Sequence, residues 1–108
     1  MKSSSYLPEN LDNFSQIKDF NNIYIYGTGV CGKTIYSGLI KESSSKVAGF
    51  FDSFREGICM GVKVIKSDKI DSIDTSQSIL LIASMDLPEI TLKLQRNNFS
   101  KIYNAYPL

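Results

Sequence analysis

A four-residue apolar run, followed without a gap by three closely spaced glycines, constrains the fold of this chain more than any other feature. The run IYIY at residues 23–26 is apolar or aromatic at every position, which is typical of a strand buried on both faces of a parallel sheet. Gly27, Gly29 and Gly32 follow, and apolar residues then recur at helical spacing from residue 30 to about residue 41. Strand, glycine turn and helix in this order predict the first half of a βαβ unit.

The second half of that unit ends in an acidic residue. Residues 47–51, VAGFF, predict a second buried strand, and Asp52 follows it directly. Asp52 lies 20 residues after Gly32, where a dinucleotide-binding βαβ unit places the carboxylate that hydrogen-bonds a ribose hydroxyl. Three further strands are predicted at residues 62–65, 79–83 and 101–104. Two more helices are predicted, one over residues 67–73 with Ser67 as its N-cap, and one after an N-cap at Asp86.

These elements predict an α/β fold, a single Rossmann-like doubly wound parallel sheet of about five strands with flanking helices. Residues 22–108 form the predicted nucleotide-binding domain. Residues 1–21 are predicted to be a tail with one short helix over residues 8–20, whose apolar side chains recur near one face. Those side chains belong to Leu11, Phe14, Ile17 and Phe20. The simplest role of this helix is to pack against the domain or to link it to another domain.

Composition excludes several classes of function. Twelve basic and eleven acidic residues give a formal charge of +1, so no overall field points to nucleic acid or an anionic membrane as a partner. No apolar run approaches the roughly 18 residues of a membrane span, and the N-terminus has no signal-peptide pattern, so the expected location is the cytoplasm. The absence of histidine removes the commonest general base and the commonest zinc ligand. Cys31 and Cys59 form no CxxC pair and are expected to be reduced thiols.

The segment GTGVCGKT at residues 27–34 fits two phosphate-binding patterns. As GxGxxG it is the dinucleotide fingerprint of a Rossmann unit, in which phosphate lies on backbone N–H groups at a helix N-terminus. As GxxxxGKT it is a Walker A loop, in which Lys33 contacts the β- and γ-phosphates and Thr34 contacts Mg²⁺, with Asp52 as the metal-binding acid. The first interpretation implies a module that binds a nucleotide passively, whereas the second implies a phosphoryl-transfer enzyme.

The Rossmann interpretation is favoured because Asp52 falls in its expected register, whereas Asp86, the other acid near a predicted strand end, is assigned to a helix cap. A chain of 108 residues also leaves little room for the lid, switch or base-recognition segments of such an NTPase. Cys31 is expected to be a small packing residue, with a thiol pKa that the helix N-terminus lowers. The predicted nucleotide- and phosphate-binding residues are Gly27, Thr28, Gly29, Val30, Cys31, Gly32, Asp52 and Ser53. No catalytic or metal-binding residue is predicted.

A resemblance to known proteins rests on five segments, IYIYGTGVCGKTIYSGL, VAGFFDS, MGVKVI, ILLIAS and FSKIYN. Over residues 23–104 the chain resembles the nucleotide-sugar-binding N-terminal domain of bacterial sugar acetyltransferases of the bacillosamine and sialic-acid type. It is also similar to the CoA-binding-like Rossmann modules attached to polysaccharide-biosynthesis dehydratases, methyltransferases and glycosyltransferases.

That resemblance implies a UDP-sugar ligand, with uridine or ribose near Asp52 and the phosphates at Gly27, Thr28, Gly29 and Gly32. In the acetyltransferases a left-handed β-helix follows this domain and supplies acetyl-CoA binding and the catalytic base. No hexapeptide repeats follow Asn104, so the chain is expected to be one module of a longer protein, with a catalytic domain in the parent chain as its partner. Two positions depart from the family, because Cys31 stands where those acetyltransferases carry histidine and Lys63 stands where many relatives carry proline.

The resulting hypothesis is a nucleotide- or UDP-sugar-binding module of surface-polysaccharide or nucleotide-sugar metabolism, without complete catalytic machinery of its own. Three alternatives stay open. The chain is an NAD(P)-binding Rossmann module, or a small P-loop phosphotransferase that uses Lys33, Thr34 and Asp52, or a Rossmann scaffold used only for protein contacts.

Overall fold

The structure of the chain is a computed structural model, which describes residues 9–17, 20, 22–42, 46–83 and 99–105. In that part of the chain the fold is α/β with a mostly parallel seven-stranded sheet, so the predicted α/β class is confirmed. The helix predicted after Asp86 lies outside the described residues. No helix in the described ranges is both long enough and apolar enough to cross a bilayer.

The seven strands belong to one sheet. Their bounds are β1 Glu9–Asn10, β2 Ile23–Tyr26, β3 Val47–Asp52, β4 Gly57–Cys59, β5 Val62–Lys66, β6 Ile79–Ile82 and β7 Lys101–Asn104. They lie side by side in the order β1-β7-β6-β2-β3-β5-β4, and among them only β4 is antiparallel to its neighbour. Because β2 pairs with β3 on one side and with β6 on the other, the carboxyl ends of β2 and β6 form the topological switch point of the sheet.

The helical elements of the described residues are one α-helix, α1 (Val30–Glu42), and two 3₁₀ helices at Phe14–Ile17 and Ser67–Ser72. Helix α1 connects β2 to β3, and these two strands pair in parallel, as the predicted βαβ unit requires. Every residue of β2 and of β6 is buried, because both faces of the sheet are covered. Double coverage explains why these strands are continuous apolar runs in the sequence.

Two hydrophobic clusters pack on the two faces of the sheet. The first contains Ile25 and Phe50 from the sheet together with Ile35 and Leu39 of α1, all of them fully buried. The second contains Tyr24 and Phe51, whose rings stack with centroids 4.9 Å apart, and Ile70 of the second 3₁₀ helix. Alternate residues of β2 and β3 therefore anchor opposite faces, which fixes the orientation of α1 over the first cluster.

The N-terminal segment differs from the helix predicted over residues 8–20. Its described residues form β1, which pairs with β7, and a single 3₁₀ turn at Phe14–Ile17. Leu11 and Ile17 are buried in the first hydrophobic cluster, and Phe14 and Phe20 pack against it. The apolar spacing therefore identified core residues, but an edge strand and a 3₁₀ turn bury them instead of an α-helix.

The predicted count of about five strands is wrong because two short edge strands, β1 and β4, were not predicted. They have two and three residues, and all but Cys59 of these are exposed, so neither has an apolar pattern. The helix predicted over residues 67–73 is the 3₁₀ helix Ser67–Ser72. Its N-cap is Lys66, which makes no side-chain capping bond, and not Ser67.

Candidate functional site

The glycine turn, residues 27–29, connects β2 to α1 at the topological switch point. Gly27 has a φ of +116°, a conformation that L side chains rarely adopt. A Cβ atom at Gly27 would lie 3.0 Å from the carbonyl oxygen of Ala83, the residue that follows β6. The N–H of Gly27 donates a hydrogen bond of 2.7 Å to the carbonyl of Phe51 in β3. The turn is therefore fixed against the strands on both sides of β2.

Gly32 and Gly29 have different structural roles. A Cβ atom at Gly32 would overlap the carbonyl oxygen of Gly27, so only glycine lets the first turn of α1 approach the glycine turn this closely. Gly29 is exposed and has no positive φ, and apart from its chain neighbours no heavy atom of the described residues lies within 4 Å of its Cβ position. The fold therefore requires glycine at position 32, whereas position 29 borders open space at the N-terminus of α1.

Asp52, the last residue of β3, joins the glycine turn to the arginine loop, residues 53–56. Its Oδ2 accepts hydrogen bonds from the Thr28 N–H at 3.3 Å and from the Thr28 hydroxyl at 2.7 Å. Its Oδ1 accepts from the N–H groups of Phe54 at 2.9 Å and Arg55 at 3.2 Å. A carboxylate offers about four lone-pair positions, so donors of the protein itself occupy all of them.

Two opposing influences act on the pKa of Asp52. Burial of the carboxylate is the largest single influence and raises the pKa, whereas the hydrogen bonds from Phe54, Thr28 and Arg55 lower it. The hydrogen bonds together prevail, so the pKa of Asp52 lies below its ordinary value. The carboxylate is therefore ionised at neutral pH, and it acts as an acceptor for both loops.

A second contact holds the beginning of the arginine loop. The hydroxyl of Tyr26, in the last position of β2, lies 2.7 Å from the hydroxyl of Ser53. The side chain of Tyr26 is buried, whereas Ser53 is half-buried. The ends of β2 and β3 are thus connected twice by side chains, in addition to the hydrogen bonds of the sheet.

A cavity of about 340 Å³ lies between the first turn of α1 and the outer strands β4 and β5. Its lining residues come from the glycine turn, α1, the arginine loop, β4, β5 and the turn between these two strands, and they are Thr28, Lys33, Arg55, Glu56, Ile58, Cys59, Met60 and Val64. The first four provide polar groups and the last four an apolar wall. A volume near the lower end of the range of about 300–1,000 Å³ is typical of a site for a compact small molecule.

Three charged side chains line this cavity, and among the described residues only Glu56 has an ion-pair partner. Glu56 pairs with Lys69, with its carboxylate oxygen 3.3 Å from the lysine nitrogen. Within the described residues, no ion pair or side-chain hydrogen bond involves the side chain of Lys33 or of Arg55. Both cations lie close to the N-terminus of α1, which carries a partial positive charge of its own. The cavity therefore presents a positive surface to a ligand.

The cavity and the predicted site overlap at one residue. Of the eight residues predicted to bind phosphate or nucleotide, Thr28 alone lines the cavity, and it is 4% exposed. Val30 is 84% exposed, and Asp52 and Ser53 are half-buried and engaged in the contacts with Thr28 and Tyr26. The structure therefore brings the predicted residues together around the end of β2, with the cavity adjoining them on the β3 side.

Two groups of the motif could react or bind a metal ion, the Cys31 thiol and the Thr34 hydroxyl. Both already contact other groups of the protein. Burial raises the pKa of the Cys31 thiol, opposite to the predicted lowering by the helix N-terminus, and Cys31 packs against the first hydrophobic cluster. The hydroxyl of Thr34 donates to the carbonyl of Val30, one turn earlier in α1, at 2.8 Å. Among the residues that the structure describes, no three His, Cys, Asp or Glu side chains are grouped to hold a metal ion.

Sequence reasoning assigned Val64 to a strand and the other cavity residues after Ser53 only to an irregular loop. Arg55 is the most informative of those it missed, because this cation lies at the carboxyl end of a strand that neighbours the glycine turn. A basic residue three positions after Asp52 is a signal that the sequence contains. The apolar wall has no such signal, because Ile58 and Met60 reach the cavity through the pairing of β4 with β5.

Comparisons of the chain with protein-family models, with curated proteins and with solved structures gave no significant match.

Proposed function

We propose that this chain is a Rossmann-like module that binds a nucleotide or nucleotide-sugar in the cavity beside the glycine turn. The observation that carries the proposal is the pair of cations, Lys33 and Arg55, which line one cavity with Thr28 and have no charged partner among the described residues. Unpaired cations next to a helix N-terminus favour a ligand with phosphate groups.

The fold supports the Rossmann-like part of the proposal. A βαβ unit leads from β2 through α1 to β3, and the glycine turn lies at the switch point, where ligands bind in open α/β sheets. Gly27 and Gly32 meet the steric demands of the first and third glycines of a dinucleotide fingerprint. Gly29 leaves space for a phosphate to approach the backbone, as the second glycine does in such a fingerprint.

The shape and polarity of the cavity support a nucleotide in particular. Phosphate groups are matched by Lys33, Arg55 and the N-terminus of α1, and an uncharged ring is matched by the apolar wall that Ile58 and Met60 provide. We further propose that the module serves surface-polysaccharide or nucleotide-sugar metabolism with a UDP-sugar ligand, beside a catalytic domain of its parent chain. The resemblance to sugar acetyltransferases and polysaccharide-biosynthesis modules supports this finer assignment.

The P-loop alternative is favoured by one observation and opposed by two. Lys33 lines the cavity, as a phosphate-binding lysine must. However, the Thr34 hydroxyl is bonded within the helix, and Asp52 has protein donors on both oxygens, so neither presents a free ligand to Mg²⁺. The Rossmann-like interpretation therefore accounts for more of the site.

Isothermal titration calorimetry with UDP, a UDP-hexose, NAD and ATP tests the proposal. We expect Arg55→Ala to weaken binding of the preferred ligand by about 1.5–3 kcal/mol, because a hydrogen-bonded charge is lost. Lys33→Ala should cost at most about 1 kcal/mol, because an exposed ammonium group is a single, solvent-screened charge, whereas a guanidinium can hold a phosphate through two parallel N–H donors. Chelation of Mg²⁺ should leave the affinity unchanged.

Lys41→Ala is the matched control, since Lys41 is an exposed lysine in the last turn of the same helix. An equal loss of affinity in Lys41→Ala and Arg55→Ala would show that the loss comes from the change in net charge and not from a contact made by Arg55. Abolished binding in Lys33→Ala, together with Mg²⁺-dependent ATP hydrolysis, would establish the P-loop alternative. Failure of the wild-type chain to bind any of the four compounds would refute the proposed function.

A further inference from the structure

Of the three residues that donate hydrogen bonds to Asp52, Thr28 and Arg55 line the cavity, whereas Asp52 itself does not. Its Oδ2 accepts both hydrogen bonds of Thr28, and its Oδ1 accepts the N–H of Arg55. Thr28 belongs to the glycine turn and Arg55 to the arginine loop, so one carboxylate sets the distance between the two loops that border the cavity. We propose that Asp52 is a positioning residue, which aligns Thr28 and Arg55 for the anionic ligand and does not contact that ligand.

The hydrogen-bond inventory separates this role from direct ribose binding. All four acceptor positions of the carboxylate are occupied by Thr28, Phe54 and Arg55. A ribose hydroxyl would have to displace one of these donors. Displacing the Thr28 hydroxyl would leave a buried donor unpaired, which is unfavourable.

The arrangement also assigns a direction to the effect of Asp52 on affinity. A negative charge close to an anion-binding cavity repels the ligand, so removal of that charge would by itself strengthen binding. A positioning residue has the opposite effect, because its removal releases Arg55 and Thr28 from their fixed separation. Weaker binding after neutralisation of Asp52 is therefore a result that charge repulsion does not produce.

The inference rests on the proposed function, and two probes separate its possible outcomes. Pyrophosphate has no ribose, whereas UDP has the same diphosphate with a ribose and a base. If Asp52 positions the phosphate-binding groups, Asp52→Asn should weaken the binding of both probes by the same factor. We expect a loss of about tenfold, as for a disturbed charge-assisted hydrogen bond. A loss confined to UDP would show direct ribose contact, and unchanged or stronger binding of both probes would show that Asp52 has no positioning role.

A double-mutant cycle tests whether the effect acts through Arg55. In the Arg55→Ala background, Asp52→Asn should weaken pyrophosphate binding by much less than tenfold, since the guanidinium that Asp52 positions is absent. Equal effects in both backgrounds would overturn this route. Asp74→Asn is the matched control, because Asp74 accepts a similar pair of local hydrogen bonds from Ser76 away from the cavity.

An NMR measurement on the protein without ligand tests the contacts of Asp52 separately from the proposed function. In the amide NMR spectrum, Asp52→Asn should shift Thr28, Phe54 and Arg55 together, whereas Asp74→Asn should leave them in place. Unshifted Thr28 and Arg55 amides would overturn the inference whatever the chain binds. If the wild type binds neither probe, the proposed function fails, the positioning role fails with it, and shifted amides then identify a purely structural contact.

Thr28→Val and Thr28→Ser provide a second route if Asp52→Asn does not fold. Both variants keep the backbone N–H, but only serine keeps the hydroxyl that donates to Asp52. Thr28→Ser should bind pyrophosphate within about twofold of the wild type, whereas Thr28→Val should lose affinity and shift the Arg55 amide. The opposite ranking of the two variants would overturn the inference.

Discussion

The glycine turn at the end of β2 and the arginine loop at the end of β3 lie side by side and both donate hydrogen bonds to Asp52, but the turn is also held by steric fit. The turn is fixed by steric fit, since added atoms at Gly27 or Gly32 would meet backbone oxygens. The loop is fixed by hydrogen bonds that its N–H groups donate to Asp52 and by the hydrogen bond between the hydroxyls of Ser53 and Tyr26. Steric fit fails abruptly when one methyl group is added, whereas hydrogen-bonded contacts weaken in steps and respond to pH.

The largest expected effect is at the steric side of this comparison. Gly32→Ala should lower the free energy of unfolding by about 3 kcal/mol, because its Cβ overlaps the backbone carbonyl of Gly27 and no flexible side chain is there to yield. Urea unfolding followed by circular dichroism measures the change. A loss below about 1 kcal/mol would show that α1 shifts easily and that the turn is not sterically fixed.

Asp52→Ala should have the next largest effect, about 1–3 kcal/mol at neutral pH, because four donors lose a charged acceptor. The folded state lowers the pKa of Asp52, so its stabilisation is fully present above the unfolded pKa of about 3.9 and is lost as the pH falls through the lower folded value. Unfolding measured between pH 7 and pH 2.5 should show wild type and variant converging in acid. A difference that stays constant with pH would contradict this account.

Tyr26→Phe should cost about 1 kcal/mol, since it removes a single neutral hydrogen bond to Ser53 and keeps the buried ring. Ser53→Ala is the partner variant, and the two changes combined should cost little more than either alone. Full additivity would mean that the two hydroxyls do not bond to each other.

The smallest expected effect is at Gly29. Gly29→Ala should change the free energy of unfolding by less than about 1 kcal/mol, because a poorer helix N-cap is offset by lower entropy of the unfolded chain. The open space around its Cβ position leaves no clash to add to this balance. Measured beside Gly32→Ala, this variant shows which glycine the fold needs. A large loss of stability in Gly29→Ala would contradict the interpretation that the open space beside Gly29 serves ligand binding.

The five inner strands were predictable from the sequence, most directly β2 and β6, in which burial on both faces produces unbroken apolar runs. β2 and β7 have the predicted bounds, and β3, β5 and β6 differ from prediction by one residue. The α-helix was likewise predicted to within one residue of its observed end at Glu42. In each case the local pattern and the tertiary packing favour the same structure.

Of the two strands that sequence reasoning missed, β1 depends on a partner far away in the chain and β4 on the next strand. β1 becomes a strand because β7 is next to it, and β4 because β5 turns back along it. The helix predicted over residues 8–20 failed for the same reason, since pairing with β7 outweighs a helical spacing of apolar residues. The local pattern contains no information about the pairing of β1 with β7, whereas the β4–β5 hairpin has a local signal in its two-residue turn, Met60-Gly61, where both residues have positive φ.

The candidate site likewise has one part that was predictable from the sequence and one part that was not. The glycine turn follows from spacing alone, because the contact that requires glycine at position 32 is made with Gly27, five residues earlier. The cavity does not, since Arg55 and Ile58 meet Lys33 only after β3, β4 and β5 have paired. The partners of Asp52 were also beyond prediction: its position 20 residues after Gly32 suggested a ribose ligand, but its acceptors are filled by Thr28 and the arginine loop.

The pairing of β1 with β7 determines when the sheet can be completed. The side chains of Asn10 and Asn104 hydrogen-bond across this pair although 94 positions separate them, whereas β2 and β3 are joined by α1 alone. Closing a longer loop costs more chain entropy, and contacts between distant positions slow folding. During synthesis on the ribosome β7 also emerges last of the seven strands, so β1 has no edge to join until then. We therefore expect the βαβ unit with its glycine turn to form first, and the N-terminal strand to be added to an existing sheet.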